Sequence, residues 1–150
     1  RQRQMCIRDR IANSSTDFRH YDNKYHSTVM EYHRGDIVWV DFGNTVGSEQ
    51  GDIRPAVIIQ NEVGNKHSPC LIVAIMTSKE KKPMVTHVSI NPSVETGLTK
   101  PTTVMTEQIR TIDKSRVLSW AGKLGERMMT CIDRAIAASF GLENNSAYSV

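Results

Sequence analysis

Arg54 is the residue whose type and setting most directly suggest chemistry. It stands in Gly47-Ser48-Glu49-Gln50-Gly51-Asp52-Ile53-Arg54-Pro55, at the mouth of the apolar run Ala56-Val57-Ile58-Ile59. Pro55 fixes its own φ, lacks an amide hydrogen and pushes Arg54 toward an extended geometry, while glycines at 47 and 51 are free to take positive φ. The guanidinium is therefore aimed, and its planar fork of five donors suits an oxyanion. Thr77 is the second candidate: it follows Ile72-Val73-Ala74-Ile75-Met76, so its hydroxyl is expected to emerge where a buried strand ends. Taken singly, each has a plainer reading. Arg54 would pair with Asp52 or Glu49 on the surface, and Thr77 would be an ordinary strand residue.

Other chemistries find little support. A dinucleotide fingerprint or P-loop needs glycines leading from a strand into a helix, and no such pattern occurs. His20, His26, His33, His67 and His87 are scattered singly, without the clustering of a zinc site. No serine lies in a Gly-x-Ser-x-Gly elbow, and Glu49 with Asp52 reads as loop solvation. His67 or His87 could assist proton transfer, since histidine titrates near neutrality, although polar strand-end histidines are the plainer reading.

The elements that would position these residues are short strands separated by turn residues. Expected strands are Ile37 to Phe42, Pro55 to Gln60, Cys70 to Met76, Thr86 to Ile90, Thr102 to Ile112 and Val117 to Trp120. The second and third are nearly continuous apolar runs, as befits strands at the centre of a sheet, and Gly64 to Pro69 reads as the turn between them. Met128, Ile132, Ala135, Ile136 and Phe140 share one helix face, ending at Gly141. The pattern predicts a mainly β fold, a small SH3-like β-barrel with a C-terminal helix as its lid.

Composition sets the frame. The 150 residues are 39% hydrophobic and 23% charged, suited to one domain with a modest core. No apolar run approaches the roughly 20 residues of a membrane span, and no secretory core is evident, so the expected compartment is cytoplasmic. Three cysteines show no CxxC pairing, and Cys70 and Cys131 read as reduced core residues. The net charge of +3 arises in the first 29 residues, which leaves the remainder neutral. An anionic partner would therefore need local clustering of Arg54, Lys66, Lys79, Lys81, Lys82 and Arg110. Residues 1–33 read as an unstructured extension, with Met30 a candidate natural start, and residues 143–150 as a tail.

From Arg34 to Leu142 the chain resembles the MazF/PemK family of toxin endoribonucleases. The resemblance rests on Gly-Ser-Glu-Gln-Gly at 47–51, Arg-Pro at 54–55, Ile-Gln-Asn at 59–61, Ser-Pro at 68–69 and Glu-Gln-Ile-Arg-Thr-Ile-Asp at 107–113, in that order. It implies a PemK-like barrel, Arg54 and Thr77 as the catalytic pair, and RNA contacts from Ser48, Glu49, Gln50, Glu107 and Gln108. It further implies attack by the ribose 2′-hydroxyl on its own phosphate, giving a 2′,3′-cyclic phosphate and a 5′-hydroxyl. No metal or cofactor enters that chemistry, and DNA, lacking the hydroxyl, falls outside it. The implied partners are single-stranded RNA, a second copy of the chain in a homodimer, and a MazE-like antitoxin whose acidic tail blocks the RNA groove. An ACA- or UACAU-like cut motif is expected by analogy. The chain departs from the resemblance mainly at Ser78 to Val85 and Pro92 to Thr102. The alternative is a CcdB-like gyrase poison without nuclease activity, but the ending Ala147-Tyr148-Ser149-Val150 lacks the tryptophan-glycine-isoleucine terminus of that toxin. A plain SH3-like binding module would need an aromatic groove, and aromatics are only 6% of the chain.

Overall fold

The computed structural model describes residues 30–142. Most of the expected N-terminal extension and all of the expected tail lie outside the described residues. The chain divides into Arg1–Glu31 and Tyr32–Val150, and the fold described is that of the second unit.

Six strands form one antiparallel sheet: β1 (Asp36–Asp41), β2 (Ile53–Ile58), β3 (Cys70–Thr77), β4 (His87–Ile90), β5 (Thr102–Asp113) and β6 (Val117–Lys123). They are ordered β4-β5-β3-β2-β1-β6, which puts the two continuous apolar runs at the centre as expected. Side chains alternate across the sheet, so each strand feeds two apolar layers. One layer gathers Ile37, Val57, Ala74, Met76 and Val104 under the C-terminal helix α2 (Glu126–Phe140). The opposite layer gathers Val38, Val40, Ala56, Ile58, Leu71, Val73, Ile75 and Met105.

Helix α2 buries Met129, Ile132 and Ala135, and Gly141 stops it in the left-handed conformation at φ 67°. Helical spacing puts Phe140 on the buried face, yet it is 58% exposed, because the buried stripe runs through Met129, Ile132 and Ala135 to Ser139, whose hydroxyl donates to the Thr106 carbonyl at 2.9 Å, and Phe140 falls beside it. Cys131, expected in the core, is exposed on this helix and Cys70 is half-buried; both are free thiols.

The segment Glu62–His67, expected as a turn, is a short helix, α1. Asn61 caps it, its side chain accepting the amide of Gly64 at 2.8 Å, and Glu62 lies in the first turn. A 3-10 turn, Lys114–Arg116, joins β5 to β6 as expected for a short connection.

Among the described residues no ladder joins the edge strands β4 and β6. Closure instead comes from the turn after β4, where the amide of Lys123 donates to the carbonyl of Glu95 at 2.9 Å. The backbones meet at Gly97 and Gly122: a Cβ at Gly97 would collide with the Ala121 carbonyl, and one at Gly122 with the backbone of Glu95 and Thr96. Gly97 also has φ +68°, a conformation other residues adopt only under strain. Among the described residues no helix is long and apolar enough to cross a membrane.

Candidate active site at the frayed ends of two central strands

Strands β2 and β3 pair through Ala56↔Ile75, Val57↔Ala74 and Ile58↔Val73, and the pairing stops there. Pro55 explains the stop, having no amide hydrogen to give the next rung. Continued by two residues, the same register sets Arg54 opposite Thr77. Arg54 shares the face of Ala56 and Ile58, and Thr77 that of Val73 and Ile75, so both belong to the face away from α2.

Arg54 donates from Nε to the carbonyl of Gly51 at 2.7 Å. That bond takes one of its five donors and leaves the terminal nitrogens free. No carboxylate among the described residues pairs with it, which removes the plain ion-pair reading. Thr77 differs from expectation. It is buried at 2% exposure, and its Oγ1 accepts the amide of Lys79 at 3.2 Å. The chain turns back over the strand end there, so the hydroxyl is fixed in place with its own hydrogen still free to donate.

The loop between β1 and β2 is pinned at its base, where Phe42 N donates to Asp52 O and Asp52 N to Gly43 O, each at 3.0 Å. Gly47 has the expected positive φ of 61°, but Gly51 does not; Asp52 takes φ 60° instead. Gly51 is needed for a different reason, since a Cβ there would lie 2.7 Å from the Gly43 carbonyl. Ser48 is exposed and Gln50 half-exposed in this loop. Glu49 is exposed and folds along the loop surface, accepting the amide of Val46 at 3.2 Å and pairing with Arg110 at 3.4 Å. Arg110 in turn stacks its guanidinium 5.8 Å from the Phe42 ring centroid.

Glu107 and Gln108 owe their position to a bulge. Ala74 pairs with Ile109 but Ile75 with Met105, so Thr106, Glu107 and Gln108 have no partner on β3. Thr106 turns inward, its hydroxyl within 2.9 Å of the carbonyls of Thr86 and Ala135. Glu107 is left projecting, and Nε2 of His87 donates to it at 2.6 Å. Burial works to raise the Glu107 pKa, but the hydrogen bond and charge of His87 outweigh it and hold the carboxyl below its ordinary value. His87 Nδ1 is buried without a partner. His67 cannot assist at this site: it closes α1, and the eight residues of β3 separate it from Thr77 by roughly 20 Å or more.

Next to Thr77 opens a shallow pocket of about 370 Å³ lined by Ser78, Lys79, Lys81, Ser89, Lys100 and Thr103, among others. Sequence alone does not single out Lys100, Ser89 or Thr103. They lie 12 or more residues from Thr77 along the chain, and only strand pairing brings them alongside it.

Comparison with known proteins gives a consistent result. Residues 33–140 match the family model described as PemK-like, MazF-like toxin of type II toxin-antitoxin system. Endoribonuclease EndoA of Bacillus subtilis is 41% identical over 110 residues, covering 73% of this chain and 94% of that protein. Endoribonuclease MazF of Staphylococcus saprophyticus is 44% identical over 110 residues, covering 73% and 91%. Among solved structures, MazF from Deinococcus radiodurans superposes with TM-score 0.64 at 20% identity, covering 75% of this chain and 98% of that one. A mycobacterial endoribonuclease in complex with its cognate antitoxin gives TM-score 0.63 at 24% identity, covering 75% and 98%. At these identities the two structures speak for the fold.

Proposed function

Because the chain belongs to the PemK-like, MazF-like toxin family of type II toxin-antitoxin systems, we propose that it is an endoribonuclease toxin that cuts single-stranded RNA at a short sequence. One observation supports this reading of the site: β2 and β3 stop pairing two residues short of Arg54 and Thr77, which share one face, the guanidinium with its terminal nitrogens free and the hydroxyl held by the Lys79 amide.

The ribose 2′-oxygen attacks the adjacent phosphorus and loses its proton, the bond from phosphorus to the 5′-oxygen breaks, and that oxygen takes up a proton. The products are a 2′,3′-cyclic phosphate and a 5′-hydroxyl. The nucleophile is the substrate's own, so no metal-bound water is required. The difficulty is the charge that builds on the phosphorane, and donors set in advance around it lower the barrier. Arg54 supplies two free terminal nitrogens for the equatorial oxygens. Thr77 adds a single donor, its oxygen held by the Lys79 amide. A guanidinium with a pKa above about 12 is a poor base, so Arg54 acts by charge stabilisation.

Unstacked bases are read on their edges by polar side chains. Ser48, Glu49, Gln50, Glu107 and Gln108 take that role, on the pinned loop and on the bulge. The chain acts as a homodimer, and a MazE-like antitoxin with an acidic tail neutralises it by covering Arg54 and the RNA groove.

The decisive experiment incubates a long transcript with the protein in excess EDTA. Cleavage is expected to persist under chelation, to fall about 10²- to 10³-fold in Arg54→Ala and by a smaller factor in Thr77→Ala. Sequencing the 5′ ends should return one recurrent motif. Cleavage abolished by EDTA, or retained in both variants, would contradict the assignment.

A further inference from the structure

The pocket beside Thr77 holds a concentration of positive charge for which the proposed chemistry has no use. Lys79, Lys81 and Lys100 line it with a single carboxylate, Glu80. None of the three lysines is in an ion pair among the described residues. The chain from Met30 onward is electrically balanced with these lysines included, so this cluster is a local feature.

The lips of the pocket are shaped by hydroxyls. Thr77 accepts the Lys79 amide at 3.2 Å, and Thr102 donates to the Lys100 carbonyl at 2.9 Å, which fixes both lysine-bearing turns at the strand ends. Across the strands the register runs Thr77↔Thr103 and Thr103↔Ser89, so three hydroxyl side chains form one row on the face away from α2. Two strand spacings make that row about 10 Å long. Its two walls are drawn from Ser78 to Val85 and Pro92 to Thr102, the segments in which the sequence departs most from the family resemblance.

We propose that this pocket seats a backbone phosphate of the RNA flanking the scissile one, with Lys79, Lys81 and Lys100 as its cations and Ser89 and Thr103 as hydroxyl donors. The inference rests on the reading of the chain as a ribonuclease and adds a positioning subsite to it. A phosphate fits better than the carboxylates of an acidic peptide. The row of hydroxyls continues from the reacting group, and tetrahedral oxygens can accept from several donors at once. A phosphate contact fixes the strand's register and leaves sequence choice to the loop and the bulge.

The test uses the full chain carrying Arg54→Ala, so that cleavage is slowed about 10²- to 10³-fold during the measurement, with and without Lys79→Gln, Lys81→Gln and Lys100→Gln together. Binding of a fluorescein-labelled, mixed-sequence single-stranded RNA is followed by anisotropy across a salt series. A poly-glutamate peptide of equal charge serves as the second probe. The triple substitution is expected to weaken RNA binding about 10-fold or more and to flatten the log-log salt slope by about 0.7 for each phosphate no longer neutralised. Unchanged RNA affinity and slope, no RNA binding by the Arg54→Ala chain, or a weakening confined to the peptide would each overturn the proposal. In the otherwise native chain the three substitutions should raise KM for RNA with kcat nearly unchanged, and a fall in kcat alone would count against a positioning role. A native chain that binds RNA through these lysines yet never cuts it would sink the nuclease reading and leave the subsite standing.

Discussion

The two faces of the sheet are built to opposite rules. Under α2, the strands present Ile37, Val57, Ala74, Met76 and Val104, and the helix answers with Met129 and Ile132. On the other face an equally dry centre of Val38, Val40, Ala56, Val73 and Ile75 gives way, at one end of the strands, to Arg54, Thr77, Thr103 and Ser89. The first face is closed by volume. The second is left open where Pro55 ends the ladder. Arg54 lies past the end of that ladder, while Thr77, Thr103 and Ser89 keep their own strand pairing at its rim.

If the faces are separable, stability and cleavage should respond to different substitutions. Ile132 is fully buried, and Ile132→Ala should cost about 2–5 kcal/mol of stability, lowering the melting temperature by roughly 10 °C or more. Its cleavage rate well below that temperature should stay near the native value. Arg54→Ala should do the reverse, losing about 2.7–4 kcal/mol of transition-state stabilisation, while stability falls only by the about 0.5–1.5 kcal/mol of the hydrogen bond to the Gly51 carbonyl. A fall in cleavage in Ile132→Ala as deep as that in Arg54→Ala would show that the helix face tunes the site.

A smaller effect is expected at the loop. Glu49→Gln removes the ion pair with Arg110, whose side chains are 57% and 25% exposed. Its stability cost should be about 0.2–1 kcal/mol at low salt and should vanish in 1 M salt. A larger or salt-independent cost would mean that the loop is part of the core on that face.

The smallest effect is acid sensitivity. Glu107 has a native pKa below its ordinary 4.5, as does Glu62, held down first by the Arg34 amide. A depressed carboxyl stabilises the fold above its unfolded pKa, and that contribution fades as pH falls through the native value. Melting temperature should therefore decline gently from about pH 4.5 downward, and His87→Ala should shrink the Glu107 share. Rising stability over the same interval would reverse the sign of that assignment.

The α2 face is easier to read from sequence than the site. Continuous apolar runs mark the central strands, and helical spacing marks α2, because burial imposes a period on the chain. Thr77 is recognisable by its place after such a run, but its burial is not, since that depends on a turn folding back from Lys79. Helix α1 is hidden by Gly64 and Asn65, which favour turns; Asn61 followed by Glu62 is the available signal for a capped helix start. The bulge at Thr106, Glu107 and Gln108 leaves no mark in an alternating pattern, because it exists only relative to a partner strand. Lys100 joins the site for the same kind of reason, through pairing between distant stretches.

The seam at Gly97 and Gly122 has a consequence for the whole ring of strands. Where two main chains touch with only hydrogen atoms between them, the distance between the two edges of the sheet is set by the narrowest gap available to a polypeptide. Adding one methyl group there would force the hoop wider. At Gly97 and Gly122 the clasp admits no ornament at all.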